Sequence, residues 1–359
     1  CVDRLQEDIW IDGDVEGFGE GAVTIDELTT ISGNARSYFG AEEVTAYYLM
    51  ADLEITEWLR FIGGARIEDT EMNVEANEDF VNPALFVDGN DEGEIIEEDL
   101  LPAIHSVIRL GEEATMNLRF SYGKTLARPT FREFSPFRSF DTQTREIVQG
   151  NPALERTLVD NFDARWEWFI TPGEVLAVSL YHKEFERPII ATVRANGSSD
   201  LLSWANVDSG TISGIELEIR KTFWDRLVIG VNFSYIESEI DPIEGGLGSA
   251  TVFEGQPEII LNFNAGYSDE ERGFSANLFY NYVDDTLRFV GQNVPNVFEK
   301  GRTSLDFNIS QMIAGIRFRF SIKNILDEAT EFYYEAPDSP IYERFKRGRS
   351  MSLSASYTF

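Results

Sequence analysis

The sequence predicts an all-β protein, an antiparallel transmembrane β-barrel wall of about 13 to 14 strands. Three observations predict it. In the closing stretch Arg349–Phe359, Met351, Leu353, Ala355, Tyr357 and Phe359 alternate with Ser350, Ser352, Ser354, Ser356 and Thr358, and an extended strand sends such rows to opposite faces. The same alternation recurs upstream with whole charges at mid-strand on the polar face, which a sheet-on-sheet core would not tolerate unpaired. Short turns and long connections also alternate along the chain, the loop pattern of a barrel that crosses an outer membrane.

Taken in order, Ala41–Leu53 leads at once into Trp58–Met72, where Leu59, Phe61, Gly63, Ala65 and Ile67 oppose Arg60, Gly64, Arg66 and Glu68. Leu100–Leu110 and Ala114–Lys124 follow. Leu158–Ile170 and Val175–Phe185 pair across Thr171-Pro172-Gly173-Glu174, a turn by composition. The second half repeats the scheme in Gly214–Phe223, Leu227–Tyr235, Ile259–Tyr267, Phe274–Tyr282, Ser304–Ile313 and Ile316–Lys323, ahead of the closing strand. Short turns fall near Thr56, Gly111, Pro172, Trp224, Asp269 and Ala314. Long connections span 70–100, 125–157, 187–211, 237–257, 284–302 and 325–347. About ten residues at ~3.3 Å each, tilted near 45°, cover roughly 25 Å, the height of an apolar band. Phe318, Phe320, Leu353 and Tyr357 are expected to face outward, with Arg317, Arg319 and Ser354 inward.

Composition narrows the partners. Lys+Arg 30 against Asp+Glu 63 gives a net charge of −33, which excludes nucleic acid as a partner. No apolar run reaches the ~18 residues of a membrane helix, a test that barrel strands escape. Cys1 is the sole cysteine, so an internal disulfide and a thiolate metal cluster are excluded. Cys1-Val2-Asp3-Arg4 carries neither an initiator Met nor a signal peptide, and the expectation is a chain that begins inside a longer protein. Residues 1–40 read as an outer loop or partial strand, with a residual strand in Leu5–Ile11.

Enzyme chemistry finds little support. The two histidines, His105 and His182, lie in different strands and there is no G-x-S-x-G elbow. Gly17-Phe18-Gly19-Glu20-Gly21 lacks the strand-to-helix context of a phosphate cradle. The candidate ligand-binding residues lie in the long loops: Phe131, Phe134, Phe137 and Arg138, with Trp204, Tyr333 and Tyr334. Exposed aromatics and Arg are common in recognition surfaces. The alternative is a loop that folds Phe131, Phe134, Phe137 and Phe140 into its own cluster on the barrel. A structural Ca²⁺ is the one cofactor expectation. Asp88, Asn90, Glu92 and Asp99 occupy positions 1, 3, 5 and 12 of a calcium loop with Gly93 at 6; the alternative is a solvated acidic loop.

Several segments together resemble the TonB-dependent outer-membrane receptors. They are Leu101-Pro102-Ala103, Ser121-Tyr122-Gly123-Lys124-Thr125-Leu126-Ala127-Arg128-Pro129, Asn151-Pro152-Ala153-Leu154, Asn324-Ile325-Leu326-Asp327 and the terminal Tyr357-Thr358-Phe359. Pro129 and Pro152 also have a plain structural role, ending and restarting a ladder. The resemblance implies that residues 1–359 are the carboxy-terminal part of a 22-stranded barrel in a bacterial outer membrane, in contact with its lipid. It implies energy-coupled uptake of a scarce bulky nutrient such as a siderophore, an oligosaccharide or a cobalamin-like ligand. It also implies a TonB complex acting through an amino-terminal plug that these residues do not contain. A passive porin and a surface binding barrel that displays acidic loops are the rival expectations.

Overall fold

The computed structural model describes residues 38–76, 92–111, 115–136, 138–140, 147–196, 199–243 and 251–357. The first strands are β1 (Tyr38–Thr56), β2 (Leu59–Ala76), β3 (Glu92–Leu110) and β4 (Met116–Ala127). A one-turn helix α1 (Phe131–Phe134) and two short strands, β5 (Arg138–Phe140) and β6 (Ile147–Gln149), precede β7 (Thr157–Thr171) and β8 (Glu174–Glu186). Next come β9 (Ile189–Asn196), β10 (Ser199–Asn206), β11 (Ser209–Phe223), β12 (Leu227–Ile240), β13 (Ile259–Asp269) and β14 (Phe274–Val283). The remainder is β15 (Thr286–Gly291), β16 (Val297–Glu299), β17 (Arg302–Ile313), β18 (Ile316–Lys323), β19 (Ala329–Tyr334), β20 (Ile341–Lys346) and β21 (Ser350–Tyr357).

Two sheets result. The wall has 13 strands in the order β1-β2-β3-β4-β7-β8-β11-β12-β13-β14-β17-β18-β21, antiparallel throughout. Among the described residues it is not closed: β1 and β21 are its edges. Among the described residues, no helix is long and apolar enough to cross a membrane. The short connections are tight; Ala314 and Gly315 join β17 to β18 with φ of 50° and 81°, the left-handed pair that a two-residue hairpin requires.

Register fixes which residues share a face. Arg319 lies level with Ser310 and Ser354, while Phe320 lies level with Ile309 and Leu353. Followed strand to strand, the polar row runs through Asn308, Asn277, Asn232, Glu218, Arg165, Arg119 and Arg60. The loops fold onto this face, burying Met72, Val74 and Ile95 against Phe134 and Leu154, so the polar row is the inner one. The opposite face exposes Tyr47, Leu49, Phe61, Ile104, Phe120, Leu180 and Leu353, an apolar belt that only lipid would match. The expected orientation of Arg317, Arg319 and Ser354 against Phe318, Phe320, Leu353 and Tyr357 agrees with this register.

The outer ends of the strands differ from expectation. β2 runs to Ala76 and β3 starts at Glu92, so much of the expected 70–100 loop is strand. The apolar residues change face along the way. Phe61, Ala65 and Ile67 point outward; Met72 and Val74, at positions of the other parity, point inward with at most 1% exposure. β12 does the same, with Val231, Phe233 and Tyr235 outward and Ile236 and Ile240 inward. Below the switch the strand meets lipid outside; above it the strand meets packed loops inside and water outside. The acids Glu71, Glu75, Glu94 and Glu98 then face outward.

Candidate ligand vestibule above the wall

Four of the long connections fold into a second sheet, in the order β20-β19-β16-β15-β9-β10-β6-β5. Each contributes a β-branched or aromatic patch, such as Ile189-Ile190 or Phe289-Val290, set between turn residues. The sheet is seated by specific contacts. Thr130 caps α1: its Oγ1 accepts from Glu133 N at 3.3 Å while Glu133 Oε2 accepts from Thr130 N at 2.7 Å, a reciprocal capping box. Arg128 turns inward and donates to Glu68 at 2.5 Å and to Thr70 at 2.6 Å. Asn151 donates to the Trp204 carbonyl at 2.9 Å, tying the segment after β6 to β10, and Leu154 is buried beside Phe134. Both proline motifs of the sequence therefore act as anchors of the loop sheet.

The candidate residues fall in different places. Phe134 is fully buried, at 0% exposure, in the cluster with Met72, Val74, Ile95 and Leu154. It is a core anchor rather than a ligand-lining side chain. Phe131 packs against the same cluster, its ring over Gly40. Phe137 lies outside the described residues. Trp204 touches two clusters at once, the Phe134 cluster and that of Ala191, Val193, Phe289 and Val297. Tyr334 packs on the latter, with Tyr342 edge-on at 5.3 Å. Tyr333 stacks on Phe298 and donates to Asp285 at 2.6 Å; burial, and then this carboxylate, push its pKa well above the usual phenol range.

Arg138 is the candidate that keeps a free charge. Register across β5, β6, β10 and β9 puts it on the face that carries Arg194, opposite the face of Trp204. Neither guanidinium forms an ion pair with a carboxylate among the described residues. Burial, then repulsion from Arg194, hold the Arg138 pKa below its ordinary value. Arg288 lies on β15, next to the Leu287–Glu254 bridge. Glu254 accepts from Ala191 N at 3.3 Å. Arg194, Arg288 and Glu254 carried no sequence signal, being single charges in long connections.

Of the expected calcium set only Glu92 and Asp99 are described, and these two do not come together. Glu92 and Asp99 lie on the one strand β3, on opposite faces and roughly 23 Å apart at ~3.3 Å per residue, so they cannot share an ion. Asp99 instead accepts two bonds from Arg156, at 2.6 and 2.7 Å, in a nearly closed site. Asp88 and Asn90 lie outside the described residues. Among the described residues, no group of three or more His, Cys, Asp or Glu side chains is placed to hold a metal.

The family model "TonB dependent receptor-like, beta-barrel" matches residues 9–325. No curated protein matches the sequence. Among solved structures, the copper transporter OprC superposes with a TM-score of 0.64 at 15% identity, covering 89% of this chain and 48% of that one. The ferric-catecholate import receptor Fiu from K12 E. coli gives 0.64 at 12%, covering 89% and 45%. The ferric citrate transporter FecA gives 0.63 at 13%, again covering 89% and 45%. The chain thus spans a little under half the length of these structures. At such identities the likeness is one of fold.

Proposed function

Because the chain belongs to the TonB-dependent receptor β-barrel family of the bacterial outer membrane, we propose that it forms the wall and mouth of an energy-coupled importer. The solute is captured in the vestibule, and energy relayed by a TonB complex then opens a path along the lumen. The observation that carries this reading is the sheet built from four separate loops over a polar inner wall. A passive pore gains nothing from ordering so much chain at its mouth, since each ordered residue loses roughly 1–2 kcal/mol of backbone entropy.

The solute is scarce and bulky, of the size of a siderophore, an oligosaccharide or a cobalamin-like ligand. The face of Arg138 and Arg194 favours those that carry negative charge, because a carboxylate there would relieve repulsion and gain charge-assisted hydrogen bonds. FecA and Fiu, named for ferric citrate and ferric-catecholate import, make ferric chelates the first solutes to test.

The test is uptake of radiolabelled ferric citrate and a ferric catecholate by cells that express the full-length protein, with and without TonB. Accumulation should require TonB and a proton gradient. Replacing both Arg138 and Arg194 by Ala should weaken binding of an anionic chelate by about tenfold or more. Accumulation that persists without TonB would replace the importer with a passive porin.

A further inference from the structure

The inner face of the wall holds a neutral sector between charged ones, the second of which begins with Asp306 on β17 and Arg317 and Arg319 on β18. From β4 to β11 it is charged, and several of these charges pair with one another. Arg119 meets Glu167 at 2.7 Å; Arg165 meets Glu167 at 3.1 Å and Glu218 at 2.9 Å. On the next three strands the charges stop. The inward positions are Val228, Gly230, Asn232, Ser234, Ile236, Ser238 and Ile240 on β12, and Ile260, Asn262, Asn264, Gly266 and Ser268 on β13. On β14 they are Ser275, Asn277, Phe279, Asn281 and Val283. The outer positions above the lipid belt on β12, Glu237 and Glu239, are acidic as usual for this chain. The neutrality belongs to the inner face.

The amides form an ordered surface. Register sets Asn232, Asn262, Asn281 and Ser304 in one row, and Gly266, Asn277, Asn308 and Ser321 in another. Asn281 donates to Asn262 at 2.8 Å, and Asn277 donates to Asn308 at 2.9 Å. Two glycines let the amides lie flat. A Cβ on Gly266 would come within 2.7 Å of the Asn277 oxygen, and one on Gly230 would collide with the Asn264 amide. Each Asn that spends one bond sideways keeps further donor and acceptor capacity.

A surface that passes a solute must bind well enough to admit it and weakly enough, at several sites, to release it. Paired charges are poor at this, since separating a desolvated pair leaves an uncompensated charge. Neutral amides exchange one hydrogen bond for another at little net change. We propose that β12–β14, with Asn308 of β17, are the permeation face: the side of the lumen along which a polar, hydrated solute moves inward. The charged sectors hold whatever else fills the lumen. This inference rests on the importer reading above.

Single cysteines at Asn232 and Asn262 on the neutral sector, and at Ser121 on the first charged one, test it in the full-length protein. Heat-modifiable gel mobility selects variants that fold, and Asn281→Cys substitutes for either amide position that fails. The probe is a water-soluble maleimide added to whole cells, with the proton gradient intact or collapsed. Asn232→Cys and Asn262→Cys should react several-fold faster in energised cells, and Ser121→Cys should not change. Energy-dependent labelling at Ser121→Cys, or equally at all positions, overturns the permeation face while leaving the importer standing. Labelling that ignores the proton gradient everywhere overturns the importer, and the face with it.

Discussion

Asp99 shows how far a single side chain is determined by its surroundings rather than by its neighbours in sequence. It follows a run of acids, yet the strand turns it inward, where Arg156 grips both carboxylate oxygens and also meets Glu97 at 2.9 Å. Arg156 and Asp99 have side-chain exposures of 9% and 5%, so water cannot replace either partner. Arg156→Ala should therefore destabilise the folded barrel by about 3–5 kcal/mol, the usual effect of leaving a buried charge alone. Changing both residues to Leu should recover most of that loss. Urea unfolding midpoints in lipid vesicles measure both variants, and a double variant as unstable as the single one would show the pair to be net stabilising. The distant partner, 57 positions away, is why the sequence suggested a cation ligand here: an acidic run looks the same whether water, an ion or an arginine neutralises it.

At the scale of the strand, the alternation that revealed the wall also hid where its strands end. All 13 wall strands were legible, because lipid outside and polar lumen inside impose one fixed parity over the membrane-spanning part. Beyond the lipid the demand reverses, and Ile67 to Met72 or Tyr235 to Ile236 breaks the parity that a strand template follows. The reversal thus marks the outer lipid boundary. It predicts different tolerance along β12. Val231→Lys, outward in the middle of the apolar stretch, should cost about 2–4 kcal/mol, whereas Glu239→Lys above the switch should cost about 0–1. Folding titrations into vesicles check the difference, and equal costs would move the boundary. The loop sheet was not legible for another reason: its strands are as short as three residues, and its order joins segments from four connections. The aromatic loop residues looked like recognition surface from composition alone, and only packing distinguishes buried Phe134 from charged Arg138.

For the molecule as a whole, the decisive feature is the pair of edges, β1 and β21, that stay unpaired among the described residues. Within a band of about 25 Å each edge strand leaves roughly five N–H and five C=O groups facing away from the sheet. Lipid offers them no partner, at several kcal/mol for each. Direct closure of 13 strands would satisfy them, but it would narrow a lumen whose inner rows carry Arg119, Arg165, Glu167 and Glu218, and barrel diameter grows with strand number. We therefore expect further strands, outside the described residues, between β21 and β1 in the membrane. A polypeptide of these 359 residues alone is expected neither to show heat-modifiable mobility nor to support uptake. The two assays separate the causes: a polypeptide that folds but does not import would need only a lumen-filling or energy-coupling part. One that folds and imports would mean that the edges close on each other.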